Sequence, residues 1–157
     1  MKGVPFRLLQ ALLWLASLSH IIIGGGIMIS PEFQRAMAGI YGAEVDWTGQ
    51  FIYILRPLGA FMLVLGLLLA VAALDPWKHR LIVYGLCGVL FLRVLQRVVF
   101  REDIQDAFHI GTAQDLGMAG FFLAEAVAIL VLLHRAGRAV GEVKTAIPED
   151  IHQGKMS

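Results

Sequence analysis

Charge is scarce in this chain: only 16% of its 157 residues are Asp, Glu, Lys or Arg, where soluble domains carry about a quarter. The charges that exist are clustered, which leaves long stretches without any. Cysteine is nearly absent. Cys87 stands alone inside an apolar run, which excludes an intrachain disulfide and a cysteine-based metal cluster. No histidine, cysteine or carboxylate spacing matches a metal site. No nucleophile or metal set that an enzyme would need can be found. A formal net charge of +1, with no basic face interleaved with aromatics, excludes a nucleic-acid surface. There is no internal repeat, which counts against an inverted-repeat transporter.

Apolar residues are what the chain has, at 58% hydrophobic and a mean hydropathy of +0.73. A hydrocarbon core of about 30 Å needs about 20 apolar residues of helix. Four runs meet that length: Phe6–Ile29, Phe51–Leu74, Leu81–Phe100 and Ala113–His134. The expected fold is all-α, a single antiparallel bundle of four transmembrane helices over residues 1–138, followed by a polar tail over 139–157. The first run is too long for a secretory signal core and lacks a small-x-small cleavage site, so it reads as a retained helix.

Positive charge in short loops sets topology. Lys2 and Arg7 precede the first span, Lys78 and Arg80 lie between the second and third, and Arg135, Arg138 and Lys144 follow the fourth. On the other side, Arg35 and Arg101 are diluted by Glu32, Glu44, Asp46, Glu102, Asp103 and Asp106. Both termini are therefore expected in the cytoplasm, with two loops outside. Asp75-Pro76-Trp77 predicts a tight hairpin between spans two and three. Trp47, Tyr53 and Trp77 suit the membrane interfaces. In the first outer loop, Ser30-Pro31-Glu32 is a helix start: a capping hydroxyl, a proline at the first position, an acid in the first turn. Phe33, Met37 and Ile40 share one face, so a short amphipathic helix lying on the outer surface is expected. A second short helical turn is expected over Asp103–Phe108.

Ionisable residues inside spans are costly and usually face the bundle interior. Counting about 1.5 Å per residue from the outer ends places His20, Arg93 and Glu125 at a similar depth, roughly 11–18 Å down. Arg56 and Arg97 form a shallower layer, with Gln96 between the two levels. Arg101, His109 and Asp115 lie at the mouth. One reading makes this cluster structural, with Arg93 paired to Glu125 and Arg97 reaching Asp115 or snorkelling to head groups. The other uses the excess of guanidinium groups to hold a lipid head group, a carboxylate or a quinone carbonyl. His20 shares a face with Ser17 and Gly24, where it would bond a neighbouring helix. Haem or pigment ligation would need a second histidine at its depth, and none fits. Glycines 59, 66, 85, 88, 117 and 120 read as helix-packing notches. Pro57 should kink or start span two.

Leu55-Arg56-Pro57-Leu58-Gly59-Ala60, then Leu65-Gly66, Asp75-Pro76 and an arginine late in span three (Arg93 or Arg97), resembles small four-helix bacterial membrane proteins of the DoxX-like group. The likeness covers roughly residues 8–134 in layout, and the matching residues lie mostly in spans two and three. The resemblance implies a four-helix layout and a relation to subunits of quinone-linked oxidoreductases, although the chain carries no redox motif. The expected function is a non-catalytic membrane subunit packed against partner membrane proteins or its own copies, in contact with membrane lipids. The alternative is a stand-alone quinone-linked redox protein or a small transporter.

Overall fold

The computed structural model describes residues 3–145, with side chains described up to Arg138. Lys2 and residues 146–157 lie outside that range, and with them most of the expected polar tail. Six helices follow in order: α1 Val4–Ile29, α2 Pro31–Ile40, α3 Gly49–Leu74, α4 Arg80–Val99, α5 Arg101–Phe108 and α6 Thr112–Thr145. Four of them, α1, α3, α4 and α6 as far as Arg138, are long and apolar enough to cross a membrane. The chain is an integral membrane protein built as a four-helix bundle. The start of α1, the end of α6 and the turn over residues 75–79 share one end of it, the turn end. Helices α2 and α5 occupy the other, the loop end.

Helices α1 and α3 pack most closely, because small residues recur on both in steps of seven. Gln10, Ser17 and Gly24 descend against Ala73, Gly66 and Gly59. The Gln10 side chain donates to the Ala73 carbonyl at 2.9 Å, and the Ser17 hydroxyl donates to the Gly66 carbonyl at 2.8 Å. A Cβ on Gly24 would lie 2.5 Å from the Leu63 nitrogen, and one on Gly59 would lie 2.6 Å from the Gly24 oxygen. Lipid tails are as apolar as leucine, so such close backbone approach and these bonds hold membrane helices together, rather than exclusion of water.

Helices α4 and α6 form the second antiparallel pair, and α6 also packs on α1. The core of Leu9, Leu13, Leu69, Leu86, Leu90, Ile129 and Leu133 is fully buried and fills the turn-end half. The turn itself is closed by the Asp75 carboxylate, which accepts from the Lys78 N–H at 3.2 Å. The Trp77 ring fits against Gly137, where a Cβ would sit 2.4 Å from it. Spans two and three are joined tightly, as the sequence suggested, yet they are not a packed hairpin. Helices α3 and α4 touch little, since each gives its small or complementary face to another helix.

The loop end follows its local signals. The Ser30 hydroxyl caps α2 by accepting from the Phe33 N–H at 3.1 Å, with Pro31 as the first helical residue. Outside the spans, Glu32 is held below the ordinary carboxylate value by a backbone N–H at the helix start, then by the Ser30 hydroxyl and Arg35. The short helix expected in the first outer loop is α2, on whose apolar side Phe33 fills the space beside Gly26 while Ile40 is exposed. Helix α3 begins at Gly49 under a Thr48 cap and runs unbroken through Pro57, so Pro57 does not start it. Glycines 85, 88, 117 and 120 have open space where a Cβ would go, so they are not notches within this bundle.

Candidate functional site

At the loop end a cavity of about 370 Å³ lies between Leu55 and Leu58 of α3 and Arg93, Gln96 and Arg97 of α4. That is near the lower limit of small-molecule sites, which span about 300–1,000 Å³. Ile27, Leu55, Leu58, Phe122 and Ile110 form apolar walls. Met37, Ala38 and Tyr41 of α2, Trp47 and Phe51 beyond it, and Ile104 and Phe108 of α5 roof it. The two roof segments are joined: the Glu44 N–H donates to the Phe108 carbonyl at 2.9 Å, and the Gln114 side chain donates to the Ile40 carbonyl at 3.3 Å. Gly42 makes the turn after α2 at a φ of 65°, which favours glycine, and a Cβ there would collide with Gln114. Trp47 is held edge-on to Phe51 with the Arg35 guanidinium over its ring.

Besides the Tyr41 and Trp47 side chains, the polar lining comes from Arg93, Gln96 and Arg97 on α4 and Gln34 on α2. Arg97 forms an ion pair with Asp115, whose side chain is 2% exposed. Asp115 lies in the first turn of α6, where the helix dipole favours a carboxylate. Of the two fates open to Arg97 in the sequence, the structure takes the pair rather than the head groups.

Arg93 behaves differently. The expected pairing with Glu125 is not made; instead its guanidinium lies 5.1 Å from the centre of the Phe122 ring, a cation–π contact. The reason is register. Cys87 meets the Ala126 carbonyl, and Arg97 meets Asp115. Glu125 is therefore level with about residue 88, roughly 7 Å deeper than Arg93. Depth counted from estimated helix ends cannot resolve such an offset. Glu125 makes no ion-pair contact with His20 or Arg93 among the described residues. Among the described residues His20 bonds its own helix, its Nδ1–H donating to the Ala16 carbonyl at 2.8 Å. Carbonyl oxygen only accepts, so this contact fixes the proton on Nδ1 and leaves Nε2 for other partners.

The remaining sequence candidates scatter. Arg56 is exposed on the outer face of α3 and does not line the cavity. Arg101 opens α5 and is half-buried, and His109 is exposed in a left-handed conformation that ends α5, at a φ of 52°. Among the described residues no group of histidine, cysteine and carboxylate side chains is placed to hold a metal.

Gln34 was missing from the candidates. Its side chain is 2% exposed, and its Nε2 donates to the Ile27 carbonyl at 2.7 Å and the Ile52 carbonyl at 3.4 Å. Its Oε1 is buried with no hydrogen-bond partner among the described residues. The available signal was spacing: Gln34 is the polar member of the helical row that contains Met37, Ala38 and Tyr41. No protein-family profile, curated protein or solved structure matches this chain.

Proposed function

We propose that this protein is a non-catalytic integral membrane subunit that holds a small lipid-soluble molecule in the cavity beneath α2 and α5. The observation that carries the reading is an arginine on the wall of an apolar cavity: Arg93 has no ion pair or hydrogen bond among the described residues. A guanidinium between apolar walls favours an acceptor oxygen beside it. A quinone or a lipid head group has the size and chemistry for it.

The subunit role is supported by the open glycines. Gly117 and Gly120 stand with Ala113 and Ala124 in an exposed row on α6, and Gly85 and Gly88 are exposed on α4. Such rows let a partner helix approach closely. Purification in a gentle detergent, followed by organic extraction and mass analysis, tests both parts. A near-stoichiometric lipid-soluble compound should accompany the wild-type protein and be depleted in Arg93→Met. Extracts that match between the two proteins would overturn the binding part, and a bare monomer would overturn the subunit part.

A further inference from the structure

We infer that the ligand of this cavity is an anion, a carboxylate on a short apolar body, and that Arg93 selects it over neutral molecules of the same shape. The inference rests on the binding reading above. Two arginines and no acidic side chain line the cavity among the described residues. Arg97 has its counter-charge in Asp115. Arg93 has none. Glu125, further along α6, neither lines the cavity nor makes an ion pair among the described residues. Phe122 attracts the Arg93 guanidinium but, as a neutral ring, cannot neutralise it. The lining therefore holds one uncompensated positive charge.

That charge is within reach of a ligand. Arg93 is half-buried. Among the described residues, Gln34 Oε1 is the only buried side-chain nitrogen or oxygen without a hydrogen-bond partner. The unbonded nitrogens of Arg93 therefore keep accessible surface. A neutral carbonyl would give the guanidinium a hydrogen bond and leave its charge unmet. A carboxylate supplies both the bond and the counter-charge, and its two oxygens match the fork of guanidinium N–H groups. Between apolar walls the counter-charge matters more than it does in water, because the pair is poorly screened. The cavity volume of about 370 Å³ limits the body to one ring or a short chain.

The test uses two probes of one shape, 4-hexylbenzoate and 4-hexylbenzamide, at roughly pH 8, where only the first is charged. The full chain is placed in phosphatidylcholine nanodiscs, whose lipid has no net charge, and empty nanodiscs are subtracted in calorimetric titrations. Wild type should bind the benzoate about tenfold or more tighter than the benzamide, the worth of one charge-assisted bond. Arg93→Gln keeps a hydrogen-bond donor without the charge, and should bring the two probes level. Arg93→Lys keeps the charge without the fork, and should retain part of the preference. Arg56→Met, on the outer face of α3, should retain all of it. Equal binding of the probes by wild type, an undiminished preference in folded Arg93→Gln, or no preference in folded Arg93→Lys overturns the charge inference and leaves the binding reading standing. Failure of wild type to bind either probe above empty nanodiscs overturns the binding reading itself.

Discussion

Two arginines one turn apart on α4 have different tasks. Arg97 is neutralised by a buried carboxylate, so removing that carboxylate leaves a guanidinium with no counter-charge in a poorly solvated place. Losing one member of such a pair costs about 3–5 kcal/mol, whereas replacing both by apolar residues is often tolerated. Asp115→Asn should therefore lower unfolding stability in detergent by an amount of that order, and Arg97→Met with Asp115→Leu should recover much of it. Arg93 and Glu125 make no ion pair among the described residues, so their double-mutant cycle should show the smaller coupling. A coupling as large as that of Arg97 and Asp115 would contradict the register between α4 and α6. The arginines could be found in the sequence, and Asp115 could be named as one partner. The azimuth and fine depth of Glu125 could not, because a span apolar on every side does not reveal which way its few polar residues turn.

At the scale of helices, the glycines divide by what surrounds them. Gly66 has the Ile21 nitrogen 2.8 Å from where a Cβ would be, and backbone cannot move aside as a flexible side chain can. Gly66→Ala should push α1 and α3 apart and cost about 1–3 kcal/mol. Gly88 has nothing within 4 Å, so Gly88→Ala should leave stability unchanged or raise it by about 0.5–1 kcal/mol, as alanine is the better helix former. Thermal unfolding of the two variants in one detergent measures both; equal destabilisation would contradict the packing described. Helix α2 offers a test by pH. The carboxyl of Glu32 is held below its ordinary value of 4.5, so its contribution is complete above that value and is lost as pH falls through the lowered one. Amide exchange at the start of α2 should accelerate over that acidic window in wild type and stay flat in Glu32→Gln. The helices and caps here were legible, since Ser30, Pro31 and the lengths of the apolar runs act locally. The pairing of α1 with α3 was half legible, because Ser17 with Gly24 and Gly59 with Gly66 were visible as faces without saying which face met which. The contact of Phe33 with Gly26 was not legible, because an amphipathic stripe does not say which residue it packs against.

Across the whole molecule, the asymmetry of charge and the asymmetry of packing run along the same axis. The turn end carries Arg7, Lys78, Arg80, Arg135 and Arg138 beside a dense leucine core. The loop end carries Glu32, Glu44, Asp46, Glu102, Asp103 and Asp106 around the cavity. Short basic segments resist transfer across a membrane, whereas acidic ones contribute little to orientation. All the loops of the bundle vote the same way, so the turn end should face the cytoplasm and the cavity should lie in the outer half of the membrane. A C-terminal fluorescent protein that matures only in the cytoplasm should then be bright, and a C-terminal alkaline phosphatase inactive. In a Cys87→Ala background, Glu44→Cys should react with a membrane-impermeant maleimide on intact cells, and Lys78→Cys only after lysis. The reverse labelling pattern would place the cavity on the cytoplasmic side, and its ligand would then be drawn from the inner leaflet.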